Sequence, residues 1–271
     1  MTTQRKTVGL ALGSGGVRGM AHVGVIRTFL KHGIPMDFFA GSSVGAWVGA
    51  HYALYQDIDR LIDDTVGKRR EKMKALFEPT LKGGLVKGRK VEKLLTLFLA
   101  DSDFSALRAP LAVVATDLRT GMPVVFREGK LAPAVRASIA IPTFFQPVLY
   151  EGQLLVDGGI SDPVPSDLVR SMGADIVVAI NLNVLPPQTD RLANGDLKLT
   201  GVSTRTLDIM RHWLAEQAVR NADVVIAPSI VYAGLKTWGK YFTSEVGRQI
   251  MEQGADAAEA AVPEILQLLR D

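Results

Sequence analysis

The 271-residue sequence has no cysteine. A disulfide framework, a cysteine-ligated zinc and a thiol nucleophile are therefore excluded. No apolar run approaches the roughly 18 residues that a membrane-spanning helix needs. Arg5 and Lys6 precede apolar Val8 to Leu12 as in a secretory leader, but Gly13 to Gly16 end the run too early for an h-region. These absences predict a cytoplasmic protein. Net charge is also scarce, with 31 Lys and Arg against 28 Asp and Glu, a formal +3. No internal repeat, low-complexity tract or calcium loop is present. No metal, organic cofactor or nucleic-acid partner is expected.

The little net charge is unevenly placed. From Lys68 to Lys93, ten Lys and Arg face Glu71, Glu78 and Glu92, a local +7. A basic segment on an otherwise slightly acidic body predicts an anionic partner surface. Taken as a contact with an anionic membrane, it would hold the protein peripherally at the inner membrane face; the alternative is a solvated helix face. The apolar and charged fractions, 47% and 22%, are those of an ordinary globular protein. The length allows one large domain or two small ones.

Strands and helices alternate along the chain. Lys6 to Leu12 reads as a strand, then a glycine loop leads into a helix from about Met20 to His32. Met36 to Gly41 is a second strand, and a helix runs on to about Gln56. Asp57 is placed to cap a helix through Val66. Beyond the basic stretch, Lys90 to Ala100 forms a helix with Val91, Leu94, Leu95 and Phe98 as its apolar stripe. Pro110 to Thr116 is a buried strand that pairs with Val124 to Phe126. Leu131 to Ser138 is a short helix, and Pro147 to Val156 a hairpin around Glu151-Gly152. Further strands are expected over Asp175 to Leu182 and Asp223 to Pro228, and helices over Ser166 to Met172 and Thr204 to Asn221. A polar stretch at about 186–199 suits a loop or lid, and terminal helices from about Ser244 break near Pro263. The alternation favours a parallel sheet covered by helices, in one domain spanning 1–271.

The chain is organised around Gly41-Ser42-Ser43-Val44-Gly45. Gly-x-Ser-x-Gly between a strand and a helix is the turn that projects a serine hydroxyl from a sheet edge. Gly41 and Gly45 leave room for the crowded backbone, and Ser43 meets the helix N-terminus, where free N–H groups favour a developing negative charge. A second glycine loop, Gly13 to Gly19, follows the first strand. It lacks the spacing of a dinucleotide fingerprint, because Arg18 stands where a glycine is needed, and it lacks the Gly-Lys-Ser/Thr of a P-loop. It suits an oxyanion. A third feature, Asp157-Gly158-Gly159, closes the later hairpin.

Together these motifs resemble the patatin-like phospholipase family. Gly15-Gly16-Val17-Arg18-Gly19 is similar to its oxyanion-hole loop, with Ser14 where many members carry another glycine. Gly41 to Gly45 is similar to its nucleophile motif and Asp157-Gly158-Gly159 to its Asp-Gly-Gly/Ala motif. Ala134 to Ser138 with Pro142 and Phe145 to Val148 resembles the segment before that aspartate in bacterial members. The resemblance covers about residues 7–182. It implies a three-layer α/β sandwich and a serine hydrolase of phospholipid or lysophospholipid acyl esters, with Ser43 as nucleophile and Asp157 as the second member of a Ser–Asp dyad. Acyl transfer to another acceptor, or a catalytically silent adaptor on the same fold, are the alternatives. Histidine is the competing base. Only His212 falls in the order Ser…Asp…His, and it lies inside a helical pattern instead of on a loop.

Overall fold

The computed structural model describes residues 5–185, 199–230 and 244–271. Strand β1 (Val8–Leu12) is buried along its whole length. It pairs in parallel with β2 (Phe38–Ser42) on one side and β9 (Ile176–Ile180) on the other. A strand with partners on both edges and helices on both faces must be apolar throughout, as Val8 to Leu12 is. Parallel pairing continues outward to β10 (Val224–Ile226) beyond β9 and to β4 (Leu111–Asp117) beyond β2.

At β4 the sheet changes character. Strand β5 (Pro123–Phe126) runs antiparallel along Val113 to Thr116. The other edge of β4 is shared by two strands: β2 as far as Val114, and then β8 (Gln153–Asp157), antiparallel, from Ala115 onward. The C-terminal ends of β2 and β8 therefore meet head to head on one edge of β4. Strand β7 (Val148–Tyr150) completes the hairpin with β8.

The two faces of the sheet carry different cores. On one, Leu10, Leu12, Phe39, Val113, Val178 and Ile180 pack with α1 (Met20–Lys31), α2 (Val44–Tyr55) and the terminal helix α9 (Ser244–Arg270). On the other, Ala11, Ala40, Ala112 and Ala179 make a shallow face against α7 (Ser166–Ser171) and α8 (Leu199–Ala218). The result is the expected α/β layering with a mostly parallel sheet. Helices α1 and α9 cross at backbone distance: a Cβ on Gly24 would lie 1.9 Å from the Met251 carbonyl oxygen, and one on Gly254 2.2 Å from that of Ala21.

Three expectations need correction or completion. The terminal helix does not break at Pro263; it runs unbroken from Ser244 to Arg270. Pro263 is on the exposed side, where water can take up the carbonyl that its ring leaves unpaired. The basic stretch contains a helix, α4 (Arg69–Leu76), and a short strand, β3 (Gly84–Val86), that pairs with β6 (Thr143–Phe145). The polar stretch at about 186–199, read as a loop or lid, lies outside the described residues except for Leu199, which opens α8. Three further helices are α3 (Ile58–Thr65), α5 (Arg89–Phe98) and α6 (Leu131–Ser138), with Asp57 accepting the Arg60 amide at 2.9 Å as the α3 cap.

Candidate active site

Where β2 meets β8, the chain must leave the sheet within one residue. Ser43 does this at φ 56°, ψ −123°, a conformation that non-glycine residues rarely adopt. Helix α2 then folds back against β1 and β2. A Cβ on Gly45 would lie 2.0 Å from the Leu12 carbonyl oxygen, and one on Gly41 2.6 Å from the Ala46 amide nitrogen. Both positions therefore require glycine for want of space. The Ser43 N–H donates to the Ser138 hydroxyl at 2.8 Å, so α6 holds the turn from outside.

The Ser43 hydroxyl donates to Asp157 Oδ2 at 2.5 Å, and the Gly159 N–H to Asp157 Oδ1 at 2.8 Å. Thr116 Oγ1 donates to the Asp157 carbonyl oxygen at 2.9 Å. Both glycines after Asp157 are sterically required: a Cβ at Gly158 would meet the Val114 carbonyl oxygen at 2.1 Å, and one at Gly159 the Ser14 hydroxyl at 2.6 Å. Burial pushes the Asp157 carboxyl up to about 6, against the bonds from Ser43 and Gly159 and the charge of Arg211. An aspartate so placed is still ionised at neutral pH and is a better proton acceptor than one in water.

The five residues Gly15 to Gly19 are not placed alike around Ser43. Gly16–Gly19 is a 3-10 turn entered from Gly15, and the Arg18 N–H is used within it, on the Gly15 carbonyl at 3.2 Å. Gly16 and Val17, at the open N-terminus of the turn, line a cavity of about 170 Å³ together with Ser43. Gly15, Arg18 and Gly19 are not among its lining residues. Gly16 has φ +57°. A Cβ on Gly19 would lie 2.1 Å from Val44 Cγ2, so this glycine serves the contact between loop and elbow. The Arg18 guanidinium bonds within the loop and to Asn183. Its Nε donates to the Gly15 carbonyl at 3.2 Å and a terminal nitrogen to Asn183 Oδ1 at 3.4 Å. Burial lowers its pKa to about 10.

The rest of the cavity is apolar. Val91, Leu94, Leu95 and Phe98 of α5, read from the sequence as an apolar stripe, form one wall; Trp47, Ile139 and Phe145 form others. Lys72 and the Thr65 hydroxyl are its polar exceptions. The Lys72 ammonium donates to the carbonyls of Thr65 at 2.6 Å and Gly67 at 3.0 Å, and burial lowers its pKa to about 8 despite Asp64 and Asp63. Lys68 reaches Asp64 and, at 3.5 Å, Asp63. These two cations of the basic segment are thus engaged within the protein. Ser138 ends the Ala134–Ser138 segment of the family resemblance and Lys72 belongs to the basic segment, but only the fold brings them beside Ser43.

No histidine touches Ser43 or Asp157 among the described residues. His22 Nε2 is 2.7 Å from the Gly13 carbonyl, His32 bonds Glu259, His51 bonds Asp64, and half-buried His212 Nδ1 is 3.1 Å from the Asn183 carbonyl. Among the described residues no group of three His, Asp or Glu side chains could hold a metal ion. No described helix is long and apolar enough to cross a membrane.

The sequence model of the family described as patatin-like phospholipase matches residues 10–170, which include the elbow, the glycine loop and Asp157. The chain belongs to this family. It is 37% identical over 177 residues to an uncharacterized NTE family protein of Mycobacterium tuberculosis, a match that covers 65% of this chain and 49% of that protein. It is 32% identical over 200 residues to the human patatin-like phospholipase domain-containing protein 6, covering 70% of this chain and 14% of that one. The chain thus spans about half the length of the mycobacterial relative and far less of the human one. Among solved structures, VipD from Legionella pneumophila shares the fold, with a TM-score of 0.54 at 14% identity over 98% of this chain and 67% of VipD.

Proposed function

We propose that the protein is a serine hydrolase that cleaves fatty-acyl ester bonds of phospholipids or lysophospholipids, with Ser43 as nucleophile and Asp157 as its base. The observation that carries this reading is the 2.5 Å bond from Ser43 Oγ to a buried aspartate whose second oxygen is already occupied by the Gly159 N–H. In the first step Oγ bonds to the acyl carbonyl carbon while its proton passes to Asp157 Oδ2. The oxyanion forms beside the Gly16 and Val17 amides, a kind of donor worth roughly 3–4 kcal/mol each in comparable sites. Collapse expels the alcohol, which takes the proton back, and water repeats the sequence on the acyl-enzyme. The apolar cavity suits an acyl chain, and both cores resting on one sheet support a single folding unit. Release of fatty acid from phosphatidylcholine and lysophosphatidylcholine, compared between wild type and Ser43→Ala, is the test. Equal release by the two proteins would remove Ser43 from the reaction; fluorophosphonate labelling at Ser43 separates an enzyme from an inert adaptor.

A further inference from the structure

Beside the Ser43 cavity, between α4 and α5, lies a second and more open groove of about 730 Å³, lined by Met73, Phe77 and Leu97 together with Lys74, Lys90, Lys93 and one acid, Glu71. Ala75 and Leu94 line both the groove and the Ser43 cavity, so the two are separated by a single layer of side chains. The chain between α4 and α5 extends this surface as a finger. Pro79 bridges Val86, the Thr80 N–H donates to the Leu85 carbonyl at 2.9 Å and the Lys87 N–H to that of Glu78 at 2.9 Å. A tight turn at Gly83, φ +74°, leaves Leu81 and Lys82 at the tip.

Large apolar side chains are conspicuously unburied here: Phe77 is 75% exposed, Leu81 93% and Leu97 70%. Burying them would gain free energy, and the groove keeps them in water beside lysines. The finger is also rigidly joined to the site. Strand β3 pairs with β6 at Val86 and Phe145, and Phe145 lines the Ser43 cavity. The buried Arg136 guanidinium ties the join, donating to the carbonyls of Gly88, Lys87 and Gln146.

We infer that α4, the β3 finger and α5 form an interfacial docking surface that inserts Phe77, Leu81 and Leu97 into an anionic lipid bilayer, with Lys74, Lys82 and Lys93 on its headgroups. Apolar side chains ringed by lysines match such a surface in both chemistry and charge. Docked this way, the protein faces the bilayer with the groove, and an acyl chain reaches Ser43 by passing between Ala75 and Leu94. That route rests on the serine-hydrolase reading; the docking does not.

The Ser43→Ala protein therefore serves as the probe, sedimented with vesicles of equimolar phosphatidylcholine and phosphatidylglycerol or of phosphatidylcholine alone, at low and high salt. Each lysine at an anionic surface is worth roughly fivefold in binding, so Lys74→Gln/Lys82→Gln/Lys93→Gln should weaken anionic binding about 100-fold at low salt and little at high salt. Phe77→Ser/Leu81→Ser should weaken binding at least about tenfold at both salts. In the Ser43 background, both variants should keep wild-type hydrolysis of a soluble short-chain ester. Equal sedimentation of parent and variants, or no preference for the anionic vesicles, would overturn the docking surface. So would a concentration-dependent dimer that Phe77→Ser/Leu81→Ser abolishes while no vesicle binding is seen. Intact docking by a chain that releases no fatty acid would instead sink the hydrolase reading alone.

Discussion

The Ser43 amide donates to the Ser138 hydroxyl at 2.8 Å, so the strained residue of the elbow is restrained by a helix 95 residues further along the chain. Backbone at φ 56°, ψ −123° stores roughly 1–3 kcal/mol and persists only where its surroundings over-determine it. Ser138→Ala removes the only acceptor that the buried Ser43 N–H has among the described residues. It should cost about 1–3 kcal/mol of stability. It should also lower kcat more than KM, because the hydroxyl positions Oγ without touching the acyl chain. Denaturant unfolding and ester kinetics check this together; an Ala variant with normal kcat would remove Ser138 from the positioning of Ser43.

Asp157 should trade stability for function. Its folded pKa, about 6, lies above the ordinary value of 3.8, chiefly through burial. Between those values the unfolded chain has released the proton while the folded chain retains it, so stability falls as pH rises through the window. Above it, the buried carboxylate costs the folded state about 3 kcal/mol. Asp157→Asn should therefore be the more stable protein near pH 7, by up to about 3 kcal/mol, with the gain gone by about pH 4. Turnover should nevertheless be lost about as fully as in Ser43→Ala, since members of one catalytic unit are not additive. Unfolding midpoints at the two pH values, with ester hydrolysis beside them, test both halves.

The pH profile should carry one limb from this site. Activity should rise as Asp157 ionises, with a midpoint near 6, and His212→Ala should leave both rate and midpoint unchanged. Proton transfer to a histidine would need contact with Ser43, and His212 instead faces the Asn183 carbonyl. A dead His212→Ala beside an active Asp157→Asn would replace the dyad by a triad.

The chemistry-bearing turns were legible in the sequence because their requirements are local. At Gly41, Gly45, Gly158 and Gly159 an added Cβ would fall 2.0 to 2.6 Å from a neighbouring atom, and such crowding leaves glycines at fixed offsets from Ser43 and Asp157. What brings Ser43 to Asp157 was not legible. It depends on β2 and β8 sharing one edge of β4, a matter of register that no periodicity reports. The segments holding Ser138 and Lys72 were singled out in the sequence, but their place beside Ser43 was hidden for the same reason. Helix α4 was masked by its charge: with Lys and Arg at four of its eight positions it shows no apolar stripe, and its contribution to the cavity comes from Lys72, Ala75 and Leu76. The break expected at Pro263 failed because the remaining α9 residues pack continuously on α1 and the proline faces out.

Two glycines of the loop before α1, Gly16 and Gly19, should fail in different ways when replaced. A Cβ on Gly16 meets nothing within 4 Å, and the only obstacle is its φ of +57°. Gly16→Ala should therefore fold, at a strain cost of about 1–2 kcal/mol, and lose turnover because the turn that presents the Gly16 and Val17 amides relaxes. A Cβ on Gly19 would instead fall 2.1 Å from Val44 Cγ2 and 2.6 Å from Cγ1. Valine is stiff at χ1, so it cannot rotate both methyls away. The elbow itself must shift, at about 1–3 kcal/mol, and Ser43 shifts with it. Removing those methyls should relieve the two closest contacts and leave only Val44 Cβ, at 2.8 Å: Gly19→Ala/Val44→Ala should regain part of the melting temperature and of the turnover that Gly19→Ala loses. Val44→Ala should not rescue Gly16→Ala, whose defect does not involve that contact. Thermal melts and hydrolysis of a soluble ester by the single and double variants decide the matter. A Gly19→Ala protein with wild-type melting and turnover would show that the loop does not press on the elbow, and equal rescue of both glycine variants would mean that Val44→Ala acts by general loosening.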